Sequence, residues 1–342
     1  MRLPRPSRRG LMLGAAGLAT LGGLSACGRT EAPVDEAGRV RLRLAAGGPV
    51  SAAHGGFYQA IASGAYERRG LNVEILTGAA GENLPGLLAA SAVELALAGD
   101  SFTPMRLIAD RAPVKAVAAF LQKDPVALMA RPDQPLEALS ALRDRPILMS
   151  AADQAGFWRW LRARFELSAD QVRTGTDEEN LQALREDPKA VLVGRLTAGD
   201  PGEVARAVGF EPRVLLPADD GYPSYSGLVV APNAFARDNA RALRDFIAAS
   251  VEGWRDYVHG EGGKGDALIR QADKTMTQRR LDAARAALRS GAVVDGGDAA
   301  LYGLGTMTPD RWQAFAEQTE GAYASAPDWR EAFTTQYLPG RG

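Results

Sequence analysis

Apolar and charged residues alternate along Val40-Arg41-Leu42-Arg43-Leu44-Ala45, and the run stops at Gly47-Gly48-Pro49. A period of two ended by turn formers predicts a strand leading into a loop. The spacing then changes. Phe57, Tyr58, Ile61, Ala62 and Ala65 recur at helical intervals and Gly70 supplies a stop, so a helix is expected over 55–69. Strands over 71–76, 93–98 and 114–121 follow, with helices over 84–91 and 103–110 between them. In a second block, strands over 146–150, 172–174, 190–194 and 213–216 are interleaved with helices over 154–165, 177–185 and 203–208. After a strand over 228–231 the pattern becomes mostly helical, over 241–257, 266–272, 278–289 and 309–324.

Strand and helix in steady rotation predict an α/β chain with open parallel sheets. Two apolar strands, over 127–131 and 228–232, lie at the joins between blocks. If both carry the chain between lobes, residues 39–128 and 229–342 make lobe 1 and residues 129–228 make lobe 2. A ligand cleft is then expected between the lobes, at the carboxyl ends of the strands, with hinge closure over the ligand.

The N-terminus has a different pattern. Arg2, Arg5, Arg8 and Arg9 precede an apolar run from Leu11 to Ala26, interrupted only by Gly, Ser and Thr. The run is shorter than the roughly 20 residues of a membrane-spanning helix, and residues 1–26 read as a secretion signal. Ser7-Arg8-Arg9-Gly10-Leu11-Met12 resembles a twin-arginine export motif. Leu24-Ser25-Ala26-Cys27 resembles a bacterial lipobox, which makes Cys27 the expected lipidation site and residues 27–38 a tether. Cys27 is the only cysteine, which excludes an internal disulfide framework. The expected location is the periplasmic side of a bacterial membrane, held there by the lipid anchor. Loss of the signal removes four of the 40 basic residues, leaving 36 against 41 acidic ones. That balance gives no footprint for nucleic acid.

A family resemblance spans the chain from about residue 40 onward. His54-Gly55-Gly56-Phe57-Tyr58-Gln59-Ala60, followed by Gly64-Ala65-Tyr66-Glu67-Arg68-Arg69-Gly70-Leu71-Asn72-Val73-Glu74-Ile75, resembles the opening of ABC-transporter solute-binding proteins. These are grouped with the thiamine pyrimidine synthases and with receptors for thiamine pyrimidine precursors such as formylaminopyrimidine. Asp219-Asp220-Gly221-Tyr222-Pro223-Ser224-Tyr225-Ser226-Gly227-Leu228-Val229-Val230 is similar to a second segment of that group. Met307 to Trp312 and Ala332 to Pro339 are similar to its closing segments. The resemblance implies a two-lobed periplasmic-binding-protein type II fold and a small-molecule solute, most simply a thiamine pyrimidine precursor or related heteroaromatic. It also implies an ABC permease and ATPase as partners, with the receptor itself a monomer. In the synthase branch, the resemblance further implies a histidine consumed from the chain, pyridoxal phosphate and a cysteine-rich iron site. Here Gly99-Asp100-Ser101-Phe102-Thr103 holds no His, and the histidines are His54 and His259 alone. No catalytic residue, cofactor or metal is therefore expected.

The candidate ligand-binding residues lie where strands run into helices. His54 follows the first strand and serves equally well as a hydrogen-bonding group or a helix cap. Phe57 and Tyr58 open the next helix, one on the sheet and one toward the cleft. Asp100 and Ser101 occupy the turn after the third strand, as ligand contacts or as a cap. Ser150 and Asp153 occupy the equivalent turn of the second block. Trp158 and Trp160, two apart, cannot share a helix face, so one is expected in the core and one partly exposed. Arg195 ends an apolar strand, either as an anion partner or as a solvated strand end. Tyr222 and Tyr225 flank Pro223 and are the stacking candidates. Gly227 stands where the similar proteins carry an acidic residue, and Gly47-Gly48 where they often carry an aromatic one. Both changes point to an altered pocket, open also to a sulfonate, an aromatic acid or a riboflavin-like solute.

Overall fold

The computed structural model describes residues 32–78, 83–320, 323 and 327–339. The signal segment and Cys27 lie outside the described residues. Five strands of the first sheet, β1 (Val40–Ala46), β2 (Leu71–Leu76), β3 (Leu95–Ala98), β4 (Val114–Leu121) and β10 (Ser226–Pro232), run in the order β2-β1-β3-β10-β4. The second sheet holds β5 (Val126–Ala130), β6 (Ile147–Met149), β7 (Val172–Thr174), β8 (Val191–Arg195) and β9 (Arg213–Leu215), in the order β7-β6-β8-β5-β9.

Helices cover both sheets. They are α1 (Gly55–Ala62), α2 (Leu84–Ala89), α3 (Phe102–Ala109), α4 (Phe157–Phe165), α5 (Asp177–Glu186) and α6 (Asp200–Val208). After β10 come α7 (Asn233–Asp238), α8 (Ala240–His259), α9 (Gly263–Ala272), α10 (Gln278–Ser290), α11 (Gly297–Tyr302) and α12 (Pro309–Gln318). In β1 the charged positions are the partly solvated ones, where Arg41 pairs with Glu74 at 2.9 Å and Arg43 with Glu94 at 2.6 Å. In β4 and β10 the alternation disappears because both faces are covered.

The sheets are mixed where parallel ones were expected. Strand β10 is antiparallel to β3 and β4, and β5 is antiparallel to β8 and β9. The reason is the path of the chain. A strand entering from the other lobe starts at the cleft and runs away from it, opposite to strands that end there. The crossings themselves are residues 122–125 and 216–225. They precede the apolar strands over 127–131 and 228–232, and β5 lies wholly in the second sheet and β10 wholly in the first. The expected helix over 55–69 ends at Ala62, with a turn and a short 3-10 segment completing it. The helix over 309–324 ends at Gln318.

Both sheets share one wiring. The chain leaves β1 toward β2 on one side and returns to β3 on the other, and β6, β7 and β8 repeat the pattern. Each sheet thus has a switch point, β1/β3 in the first and β6/β8 in the second, and a crevice opens beyond the strand ends at such a point. The turns at His54, Asp100, Ser150 and Arg195 all fall there.

Helix α1 is pressed against α8 without intervening side chains. A Cβ on Gly56 would lie 2.1 Å from Trp254 Cγ, and one on Gly253 would lie 2.2 Å from the Gly56 carbonyl oxygen. Trp254, Phe57, Phe120 and Phe246 pack around this contact with ring centroids 5.1–6.5 Å apart. Helix propensity alone would make Gly253→Ala stabilising by about 1 kcal/mol. The backbone oxygen cannot move aside, so overpacking should win, with a net loss of about 3 kcal/mol in urea unfolding; an unchanged midpoint would show that α1 and α8 can separate freely.

Candidate functional site

Three of the sequence-predicted residues meet beyond the second switch point. Ser150 Oγ donates to Asp153 Oδ2 at 2.7 Å, and Arg195 Nη2 donates to Asp153 Oδ1 at 2.5 Å. Ser150 directly follows β6, Asp153 lies in the 3-10 turn after it, and Arg195 ends β8. Adjacent strands therefore bring the three together although 45 residues of sequence separate Ser150 from Arg195. The Arg195 backbone N–H donates to Asp200 Oδ2 at 2.6 Å, which ties the strand end to the first turn of α6.

Asp124, in the first crossing, was not singled out from the sequence. It is 2% exposed, and its Oδ1 lies 3.8 Å from Arg195 Nη1 and accepts from the Val126 N–H at 3.2 Å. Burial pushes its carboxyl up to about 7, and the nearby Asp100 charge adds to the shift against the pull of Arg195. Burial by itself would lower the Arg195 guanidinium, yet Asp124, Asp153 and Asp100 hold it above its ordinary value. The visible signal for Asp124 was a short polar break, Gln122 to Pro125, between two long apolar strands.

A cavity of about 370 Å³ opens beside this cluster. Met129, Leu181, Leu192 and Val204 give it aliphatic walls beneath α5 and α6, and Ser150, Asp153 and Arg195 line its edge. Asp177, Asp200 and Glu203 add carboxylates. Arg280 reaches it from α10, whose apolar face packs in the core of the first lobe. Burial raises the Asp200 carboxyl above its ordinary value. No sequence pattern could place Arg280 here, because a helix of one lobe meets a cavity of the other only in three dimensions.

The remaining candidates have other employment. His54 Nδ1 accepts from the Ser51 N–H at 3.2 Å, a cap on the 3-10 turn, and burial lowers its imidazole to about 4. The ring is neutral and Nε2 carries its hydrogen. Phe57 is fully buried in the core and is the member of its pair that packs inward. Tyr58 is mostly buried, with its hydroxyl bonded to Thr77 at the end of β2, and burial raises its pKa. Asp100 Oδ1 caps α3 through the Thr103 N–H at 3.0 Å, while Oδ2 lies 3.2 Å from the point a Cβ on Gly156 would occupy. That contact joins the two lobes. Ser101 is fully buried and spends both groups on the second crossing, its N–H on Ser224 Oγ at 3.2 Å and its Oγ on the Tyr225 N–H at 3.0 Å.

The two stacking candidates are structural. Tyr222 is closed in by Trp160 at 4.4 Å and Phe157 at 5.3 Å. Trp158 and Trp160 are both buried, so the expected exposed member of that pair is absent. The Tyr225 hydroxyl donates to Asp298 and accepts from the Thr308 N–H at 2.9 Å, and the Arg311 guanidinium lies 4.1 Å over its ring. Arg311 also donates to the carbonyls of Pro223 and Ser224, both at 2.9 Å. These residues anchor the second crossing to the first lobe. Among the described residues no group of His, Cys, Asp or Glu has the arrangement of a metal site, and no helix is long and apolar enough to cross a membrane.

Comparison with known proteins follows the same lines. Residues 51–260 match the model of the NMT1/THI5-like family. The riboflavin-binding protein RibY of Chloroflexus aurantiacus is 25% identical over 295 residues, covering 83% of this chain and 82% of RibY. The periplasmic aliphatic sulphonate binding protein SsuA from Escherichia coli superposes with a TM-score of 0.61 at 13% identity, over 87% of this chain and 98% of SsuA. The desulfurization enzyme DSZB shares the fold at a TM-score of 0.51 and 14% identity, over 87% of this chain and 97% of that one. The two-lobed fold is that of periplasmic binding proteins.

The buried Asp124 makes stability depend on pH. Its ordinary pKa is 3.8 and its folded value about 7, so between these limits the folded chain keeps a proton that the unfolded chain has lost. Stability then falls as pH rises through this window and levels off above it. Between pH 4.5 and 7.5 the wild type should lose about 3 kcal/mol more than Asp124→Asn in urea unfolding. Parallel pH profiles for the two proteins would remove Asp124 as the titrating group.

Proposed function

This chain belongs to the NMT1/THI5-like family, and we propose that it is the solute-binding component of an ABC importer, lipid-anchored through Cys27, that captures a small heteroaromatic solute between its lobes. A thiamine pyrimidine precursor is the preferred class. One observation carries the choice: the cavity beyond β6 and β8 is walled by aliphatic side chains and lined by four carboxyl groups against two guanidinium groups. Both guanidinium groups are already engaged, Arg195 by Asp153 and Asp124, and Arg280 by the carbonyls of Ala198 and Thr275. A sulfonate placed there would meet more carboxyl groups than guanidinium groups, with Arg195 already paired, an arrangement that disfavours an anion. An aminopyrimidine offers N–H donors to the carboxylates and an apolar ring edge to the walls. The volume sits at the low end of the roughly 300–1,000 Å³ usual for ligand pockets, which suits one small ring.

The enzyme branch of the family is the alternative, and the fold does not decide against it. The residues favour binding. The turn at Asp100 carries no histidine, and Asp100, Ser101 and His54 are committed to caps and to the crossing. The function proposed therefore makes and breaks no bond, and its mechanism is closure on the solute and recognition of that state by the permease.

A thermal-shift screen tests the reading. Hydroxymethylpyrimidine, formylaminopyrimidine, thiamine and riboflavin form one arm, and taurine and ethanesulfonate the other. A ligand at 100 times its dissociation constant adds about 2.7 kcal/mol of stability, a shift of several degrees. At least one heteroaromatic should raise the melting temperature and neither sulfonate should. A sulfonate-only response would overturn the solute class, and silence from both arms would overturn the receptor itself.

A further inference from the structure

Helix α10 touches three parts of the molecule: the core of the first lobe, the two crossings and the second lobe. Its apolar face, Leu281, Ala284 and Leu288, is buried in the core of the first lobe. Its C-terminal end lies at both crossings. The Gly291 carbonyl accepts from Lys123 Nζ at 2.8 Å, and Leu216 Cδ1 lies 3.2 Å from the point a Cβ on Gly291 would occupy. Its first turn meets the second lobe. Arg280 Nε donates to the Ala198 carbonyl at 3.2 Å, and Arg279 Nη2 lies 3.4 Å from Glu203 Oε1 on α6. The fit is close, since a Cβ on Gly199 would fall 2.8 Å from the Arg280 carbonyl oxygen, and Gly199 has φ +77°.

The helix has 13 residues, a length of about 20 Å at 1.5 Å per residue. A rotation of the second lobe about the crossings leaves the C-terminal contacts of α10 almost still and sweeps the α6 turn away from its first turn. Arg280 also lines the solute cavity, so the second lobe's cavity has its full wall only when this contact is made.

We propose that the first turn of α10 is the clasp of the closed state, with Arg280 the positioning residue that ties closure to the wall of the solute cavity and Arg279 its electrostatic partner toward Glu203. Only the consequence for a bound solute rests on the function proposed above. The clasp itself is read from contacts among the chain's own residues, and its test uses no solute.

Hydrogen–deuterium exchange of the soluble mature chain reads it directly. The double variant R279Q/R280Q keeps a helix-compatible, hydrogen-bonding side chain at both sites. It should speed exchange about threefold or more in residues 196–203 of the second lobe, while β6 and β7 of that lobe stay protected. Raising the salt should move the wild type toward the variant, because exposed charge pairs are screened. Gly199→Ala, which alters no charge, should open the same segment by steric contact, and salt should not modify its effect. Unchanged exchange over 196–203 in the double variant would overturn the clasp, as would loosening confined to α10 itself. Failure of the solute screen, by contrast, would count against the receptor reading and leave this result standing.

Discussion

A carboxylate removed from water at the point where the chain leaves one sheet for the other sets the terms for everything around it. Taking Asp124 out of solvent is costly unless its charge is matched or surrendered, and the structure does some of each. Arg195 approaches to 3.8 Å, too far for full compensation, and the carboxyl pKa rises as a result. Arg195 in turn leans on Asp153 at 2.5 Å and on Asp200 through its backbone. The strand end, the turn after β6 and the first turn of α6 are thereby fixed relative to the crossing. Part of the Arg195 charge is thereby spent on Asp153 and Asp124, and the neighbouring cavity keeps an excess of carboxyl groups.

The two lobes are built alike but held differently. Each has a switch point whose turns face the other lobe, so the same topology that folds each sheet also supplies half a crevice. The second crossing is fastened to the first lobe by Ser101, Arg311 and the hydroxyl of Tyr225, all of them buried or nearly so. Lys123 fastens the first crossing to the second through Asp219 at 2.6 Å. Both connections are thus anchored on the side of the first lobe. The glycine-mediated seam between α1 and α8 keeps the anchoring lobe from yielding.

The architecture was legible in the sequence because alternation and helical spacing are local, and one residue type after another agrees with them. Strand direction was not, since β10 reads as an apolar strand whichever way it runs. The site divided along the same line. Ser150, Asp153 and Arg195 sit at strand ends, and a strand end at a switch point faces the crevice by topology alone. Tyr222 and Tyr225 looked equally well placed beside a turn. What buries them comes from Phe157, Trp160, Asp298, Thr308 and Arg311, and nothing within a window around Pro223 announces those partners. Phe57 packs inward, as one member of the Phe57–Tyr58 pair was expected to, and nothing local in the sequence says which of the two does so. Asp124 went unseen because a buried acid inside a short polar break is indistinguishable in sequence from a solvated loop.

The strengths of the interlobe contacts form a gradient that suits reversible capture. At the crossings the contacts are buried, aromatic and hydrogen-bonded, and the desolvated groups there would be left unpaired if they parted. At the far end of α10 the Arg279–Glu203 pair is charged and open to water, with Arg279 63% exposed, and such a pair contributes only about 0.2–1 kcal/mol, beside the buried Leu196 and Thr197. A hinge must be the last thing to break and a closing edge the first. A solute lying against Arg280, between Asp153 and Asp200, would add its own interactions at the weak end, where a modest contribution is enough to shift the balance between open and closed. Had the strong contacts been placed at that edge instead, the lobes would stay shut with or without a solute, and nothing could be released.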